Sequence, residues 1–259
     1  MANKGRKAAG RKPAKASPRS GDVPLTLALR AAEPRPVPTS PTGDKITYAT
    51  RFADAMAAQI ALDLKPRFPG VDATTKRSEG TSKGKKQLDI SFSTPKMGLA
   101  LGVSLKSVHI REHGGRYTHN MKRNDEELGT EASVYHERQP WAVMVALMFL
   151  PFDACDDGKK GNPSSFGSWV RSLRPRVGRI GPTDRESLFE KGYIALYQPD
   201  GSDLRFFDIE SAPPKQGLPA ELLSYAEFIE GLYLAYTRRN HAEFRWADGE
   251  VEALSPDDE

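Results

Sequence analysis

Ten consecutive apolar residues, Trp141-Ala-Val-Met-Val-Ala-Leu-Met-Phe-Leu150, constrain this chain more than any other stretch. Pro140 precedes the run, and a loop rich in Gly, Asp and Lys follows it. A half-exposed strand alternates polar and apolar residues, whereas a run without alternation needs cover on both faces. The segment is far shorter than the roughly 20 residues of a membrane-spanning helix. It fits a fully buried strand at the centre of a sheet, although periodicity alone also admits a buried helix.

The flanking patterns supply what such a strand needs. Phe52, Met56, Ile60 and Leu64 recur at helical spacing, predicting an amphipathic helix over residues 48–65 that stops at Pro66. Residues 87–93 alternate, and residues 98–108 form a second, more apolar segment after the turn chemistry of Thr94-Pro-Lys-Met97; together they predict an antiparallel hairpin. Asn120 or Asn124 is placed to cap a helix reaching about Arg138, with Met121, Leu128, Ala132 and Tyr135 inward. Beyond the central run come a helix near 165–173, strands at 192–198 and 204–209 around Asp200-Gly201, and a helix over 220–239. The expected fold is α/β: a mixed central sheet flanked by helices, with a core at 46–152 and a C-terminal α/β extension at 153–250 packed on it.

Charge divides the chain unevenly. Of 38 Lys and Arg residues, seven (Lys4, Arg6, Lys7, Arg11, Lys12, Lys15, Arg19) fall in residues 1–20, which hold no acid. The rest of the chain has 31 cations against 34 acids, so the body is mildly acidic. The tail is expected to be disordered, with counterion-releasing contact to nucleic-acid phosphates and simple solubilisation as its two readings. Five prolines between residues 24 and 41 extend it as a linker, making 1–45 a disordered basic tail and Pro-rich linker. No apolar segment follows the basic N-terminus as in a secretory signal, and the single Cys155 excludes an internal disulfide and a multi-cysteine zinc site. A cytoplasmic protein without a membrane partner is the expectation.

Chemistry concentrates on the predicted hairpin. Asp89 lies on its first strand, and Ser104 and Lys106 lie on the second, two residues apart and so on one face. A carboxylate and an amine in an otherwise apolar hairpin need partners. A divalent cation on Asp89 would be one, with Lys106 positioning or helping to deprotonate a nearby water. The plain alternative is a solvent-facing edge with a weak Asp89–Lys106 ion pair.

Asp89, then Ser104-x-Lys106 beginning fifteen positions later, on a hairpin between two helices, resembles the PD-(D/E)xK nuclease superfamily. The resemblance spans about residues 48–151 and implies a restriction-endonuclease-like αβββαβ core. It also implies a metal-dependent DNA endonuclease of restriction or phage-defence type, using Mg²⁺ with Mn²⁺ as a substitute. Double-stranded DNA is the implied partner, with a homodimer or defence-system partner proteins as further possibilities. Ser104 stands where the family usually has an acid. Some restriction endonucleases similar to this sequence draw the missing glutamate from the following helix, where this chain offers Glu126, Glu127 and Glu131. The implied catalytic set is Asp89, Ser104, Lys106 and Glu131 or Glu127, with metal ligation by Asp89, Glu131 and the Leu105 carbonyl; Glu79 is an outside choice. A non-catalytic nucleic-acid binder on a decayed nuclease fold is the rival.

Cations nearby are candidate phosphate contacts. Lys83, Lys85 and Lys86 form one edge beside Asp89, and Arg111, Arg116, Lys122 and Arg123 a second, with Lys4, Arg6, Lys7, Arg11 and Lys12 in the tail. His109, His113, His119 and His136 are expected to share that second, phosphate-facing loop; their order resembles His-Asn-His nucleases but lacks the cysteine pairs.

Overall fold

A computed structural model describes residues 22–73, 79–81, 84–86, 88–94, 98–111, 114–159, 161–239, 244–247 and 250–253. The basic tail, Lys83, His113 and the turn at residues 95–97 lie outside them, as do the side chains of Glu79, Lys85 and Lys86.

In chain order the elements are helices α1 (Asp22–Ala32) and α2 (Thr42–Leu64), the short ribbon β1 (Glu79–Thr81) and β2 (Gly84–Lys86), and the hairpin β3 (Ile90–Thr94) and β4 (Gly98–Ser107). Helix α3 (Met121–His136), strand β5 (Val143–Pro151), helix α4 (Ser165–Leu173) and strands β6 (Lys191–Tyr197) and β7 (Leu204–Asp208) follow. Helix α5 (Tyr225–Arg239) and a ribbon of β8 (Phe244–Ala247) and β9 (Glu250–Ala253) complete the described chain. Five strands form one mixed sheet in the order β3-β4-β5-β6-β7. The outer pairs are antiparallel, and β4, β5 and β6 run parallel.

Eight residues of the apolar run, Val143 to Leu150, lie in the middle strand, and every residue of β5 is buried. Alternation sends Val143, Val145, Leu147 and Phe149 to one face, where they join Phe52, Met56, Ile60 and Leu64 of α2 and Phe228 and Leu232 of α5. Met144, Ala146, Met148 and Leu150 point the other way, against Leu128, Ala132 and Tyr135 of α3 and Phe166, Trp169 and Val170 of α4. Two cores on one sheet explain why this strand tolerates no polar position. Strand β6 pairs directly with β5, so the C-terminal segment continues the same sheet.

The segment expected to be a linker contains a helix. Pro24 lies in the first turn of α1, where a missing N–H removes no helical bond. Leu25, Ala28 and Ala32 then recur on one face and are buried in the α2 core. Helix α2 also begins six residues earlier than its apolar pattern predicts, at Thr42 after Pro41. Pro34, Pro36 and Pro38 lie between the helices, in the connection that prolines suit.

Gly102 permits one close approach in β4. A Cβ there would lie 2.7 Å from both Leu88 Cδ1 and Met144 Sδ. Among the described residues no helix is long and apolar enough to cross a membrane.

Candidate active site

Strand pairing brings Asp89 to Ser104 and Lys106. Ile90 is registered with Val103, so Asp89 stands just before β3 and beside the second half of β4. Its Oδ2 accepts the Leu105 N–H at 2.6 Å, a side chain taking the place of a ladder carbonyl. Leu101, Val103 and Leu105 face the α2 core, which turns Ser104 and Lys106 to the opposite face, toward α3.

Helix α3 delivers a carboxylate onto that face. Ser104 Oγ donates to Glu131 Oε2 at 2.7 Å, and Lys106 Nζ donates to Glu131 Oε1 at 2.9 Å. Both Ser104 and Glu131 are buried. One turn earlier, Glu127 Oε2 lies 3.8 Å from Lys106 Nζ while its Oε1 accepts from Arg123 Nε at 2.7 Å. Of the two glutamates weighed from the sequence, Glu131 makes the close contacts and Glu127 the longer one. Glu126 points elsewhere, 3.8 Å from Lys122.

The helix is held in place by further contacts. Arg176 grips Asp125 with two hydrogen bonds, of 3.0 and 2.8 Å. Gly129 makes room for this arm, because a Cβ there would stand 2.7 Å from Arg176 Nη1. At the far end, His136 Nδ1 lies 2.8 Å from the Glu186 carbonyl and its Nε2 lies 3.3 Å from Glu190 Oε2. The start differs from expectation: Asn120 is the residue before the helix but adopts φ 54° and makes no side-chain cap. Asn124 lies within the helix, not at its cap.

Electrostatics at the site pull in opposite directions. Burial pushes the Asp89 carboxyl up to about 6, aided by Glu131 and Asp54 and resisted by the Leu105 N–H and Lys106. Burial alone would lower the Lys106 amine; the charge and hydrogen bond of Glu131, with Asp89 and Glu127, outweigh it and hold the amine above its ordinary value. Lys106 is therefore held as an ammonium that donates hydrogen bonds, a form suited to orienting a water or an anionic oxygen. Asp54, exposed on α2, has no spacing in the sequence that marks it.

Asp89 and Glu131 are hard-oxygen donors of the kind that Mg²⁺ takes. The raised Asp89 carboxyl marks a place where added positive charge would relieve a desolvated anion. The donor chemistry fits a divalent ion. Among the described residues, however, no three His, Cys, Asp or Glu side chains gather as a ready-made cage.

The outer cations differ in their surroundings. Lys122 and Arg123 are exposed on the first turn of α3. Arg111 pairs with Asp153 at 2.6 Å and lies over the Tyr117 ring. Arg116 donates to the Pro163 carbonyl and Ser168 Oγ, tying its loop to α4. Two of the histidines expected in that loop are buried instead. His109 contacts Tyr197 Oη at 2.6 Å and packs between Tyr48 and Phe52; burial, and then the Arg35 charge, lower it to about 3, so it stays neutral. His136 belongs to the buried end of α3. Tyr48, Phe52 and Tyr197 around His109, and Glu186 and Glu190 around His136, lie far off in sequence, so local composition gives no sign of the enclosure.

Comparison with protein-family models, curated proteins and solved structures finds no match to this chain.

Proposed function

We propose that this protein is a metal-dependent DNA endonuclease of restriction or phage-defence type, a Ser-x-Lys variant of the PD-(D/E)xK nuclease superfamily acting in the cytoplasm. One observation carries the reading: Glu131, 27 positions after Ser104, bonds both Ser104 and Lys106 beside Asp89. A buried carboxylate, a buried hydroxyl and a lysine are costly to gather unless each satisfies another. In this reading Asp89, Glu131 and the Leu105 carbonyl hold Mg²⁺, or Mn²⁺ in its place. The ion supplies a lowered water pKa and charge neutralisation at the phosphate.

The chain's own residues have separate roles. Ser104 fixes the carboxylate plane of Glu131 and so substitutes for an acid on the strand. Lys106 orients the attacking water or a phosphate oxygen through its ammonium hydrogens. Lys122, Arg123 and the basic tail meet phosphates of double-stranded DNA without reading its sequence. Cutting both strands favours a homodimer, and a defence-system partner protein remains part of the proposal.

Glu131→Gln preserves helix propensity while removing the charge. Metal-dependent cleavage of plasmid DNA should fall by about a hundred-fold or more, with a smaller loss in Glu127→Gln. Wild-type cleavage by Glu131→Gln would overturn the assignment. A second reading, a nucleic-acid binder on a decayed nuclease fold, draws on the engagement of both Glu131 oxygens by Ser104 and Lys106. Under that reading, Asp89→Ala leaves DNA affinity and its response to Mn²⁺ unchanged.

A further inference from the structure

Arg123, Glu127 and Glu131 are spaced four apart and form one row along α3. Lys106 reaches into this row from β4, lying 2.9 Å from Glu131 and 3.8 Å from Glu127. Charges therefore alternate along a continuous path: Arg123, Glu127, Lys106, Glu131. Side-chain exposure falls along it from 74% at Arg123 through 35% and 20% to 11% at Glu131, so the path runs from solvent into the candidate site.

The two glutamates compete for one ammonium. Lys106 is hydrogen-bonded to Glu131 and only ion-paired with Glu127, whose other oxygen is bound by Arg123 at 2.7 Å. Arg123 thus draws Glu127 charge outward, leaving Lys106 on Glu131. While Lys106 and Ser104 hold both Glu131 oxygens, that carboxylate is a poor ligand for a cation.

We infer that Arg123 governs the cation affinity of Glu131 through Glu127, so that an anionic phosphate of the nucleic-acid backbone taking Arg123 releases Glu127 to draw Lys106 off Glu131. The inference rests on the proposed metal site and adds a regulation to it: substrate contact at the surface readies a buried carboxylate for the ion. Glu127 and Arg123 are positioning residues in this scheme. Neither is required to touch the reacting atoms.

The test is a double-substitution cycle read by Mn²⁺ affinity in the full-length chain without DNA, which needs no turnover. Arg123→Gln permanently removes the Arg123 contact to Glu127 and should tighten Mn²⁺ binding by about two- to five-fold, the range expected for one partly exposed ion pair. In a Glu127→Gln background the same substitution should have no effect, because the acceptor for Lys106 is gone. A change of equal size in both backgrounds would show Arg123 acting only through its general field, and the relay would be wrong. No tightening in the wild-type background would overturn it equally. Asp89→Asn serves as the separate control: if it leaves Mn²⁺ affinity unchanged, the metal site itself is misassigned, whatever the cycle shows. Both cycle positions lie outside the buried core, and Arg123→Ala with Glu127→Ala repeats the cycle should either Gln variant fold poorly.

Discussion

Asp89, a ligand in the proposed metal site, carries a cost to the fold. Its carboxyl is raised to about 6, above the ordinary value near 3.9 in an unfolded chain. The folded protein therefore holds the proton more tightly than the unfolded one. The stability this contributes is complete below about pH 4 and is lost as pH rises through 6. At neutral pH the ionised Asp89 is a local burden of up to about 3 kcal/mol. Asp89→Asn keeps an acceptor for the Leu105 N–H without the charge. Without divalent metal, thermal melts should show the variant more stable than wild type at pH 8, with the gap closing by pH 4. A gap that widens toward acid would contradict the burial account. Added Mn²⁺ should stabilise wild type more at pH 8 than at pH 5, since ion and proton compete for this carboxyl.

At the level of elements, α1 and α3 show how tertiary packing overrides a local reading. Composition makes residues 21–45 a linker, yet Leu25 is fully buried against α2. Leu25→Ala should lower unfolding free energy by about 2–5 kcal/mol, as for a core leucine. Urea denaturation would show it, and a change under about 0.5 kcal/mol would fit an undocked surface segment instead. The helical spacing of Leu25, Ala28 and Ala32 was present, but only the apolar face of α2 supplies the surface that selects it. In α3 the inward face, Leu128, Ala132 and Tyr135, followed directly from its period, while Arg176 and Asp125 fix its position through a contact 51 positions apart in sequence.

Across the whole molecule, a buried charge cluster joins segments that the sheet alone would not. Glu190, just before β6, receives Arg179 at 2.8 Å and lies 3.6 Å from Arg239 at the end of α5. It also accepts the Met144 N–H at 2.7 Å and faces His136 of α3. Both guanidinium groups donate to the Pro140 carbonyl at the entrance to the central strand. Glu190→Gln leaves two buried cations without their anion and should cost about 3–5 kcal/mol. A drop in melting temperature comparable to that of Leu25→Ala is the expected result. An unchanged melting temperature would mean that the carbonyl contacts alone hold the arginines.

What the amino-acid sequence determined by itself was the order of the five sheet strands and of helices α2 to α5, the enclosure of the central apolar run on all sides and the face-sharing of Ser104 with Lys106. Each follows from backbone period and turn chemistry, which act over a few residues. Glu127 and Glu131 were legible as one helical row for the same reason. The choice between them depended on the tertiary structure, because it turns on how α3 lies across β4. The same holds for the burial of His109 and His136, the docking of α1 and the Glu190 cluster. Whether a polar side chain is solvated or enclosed is settled by partners distant in sequence, and a local pattern carries no record of them.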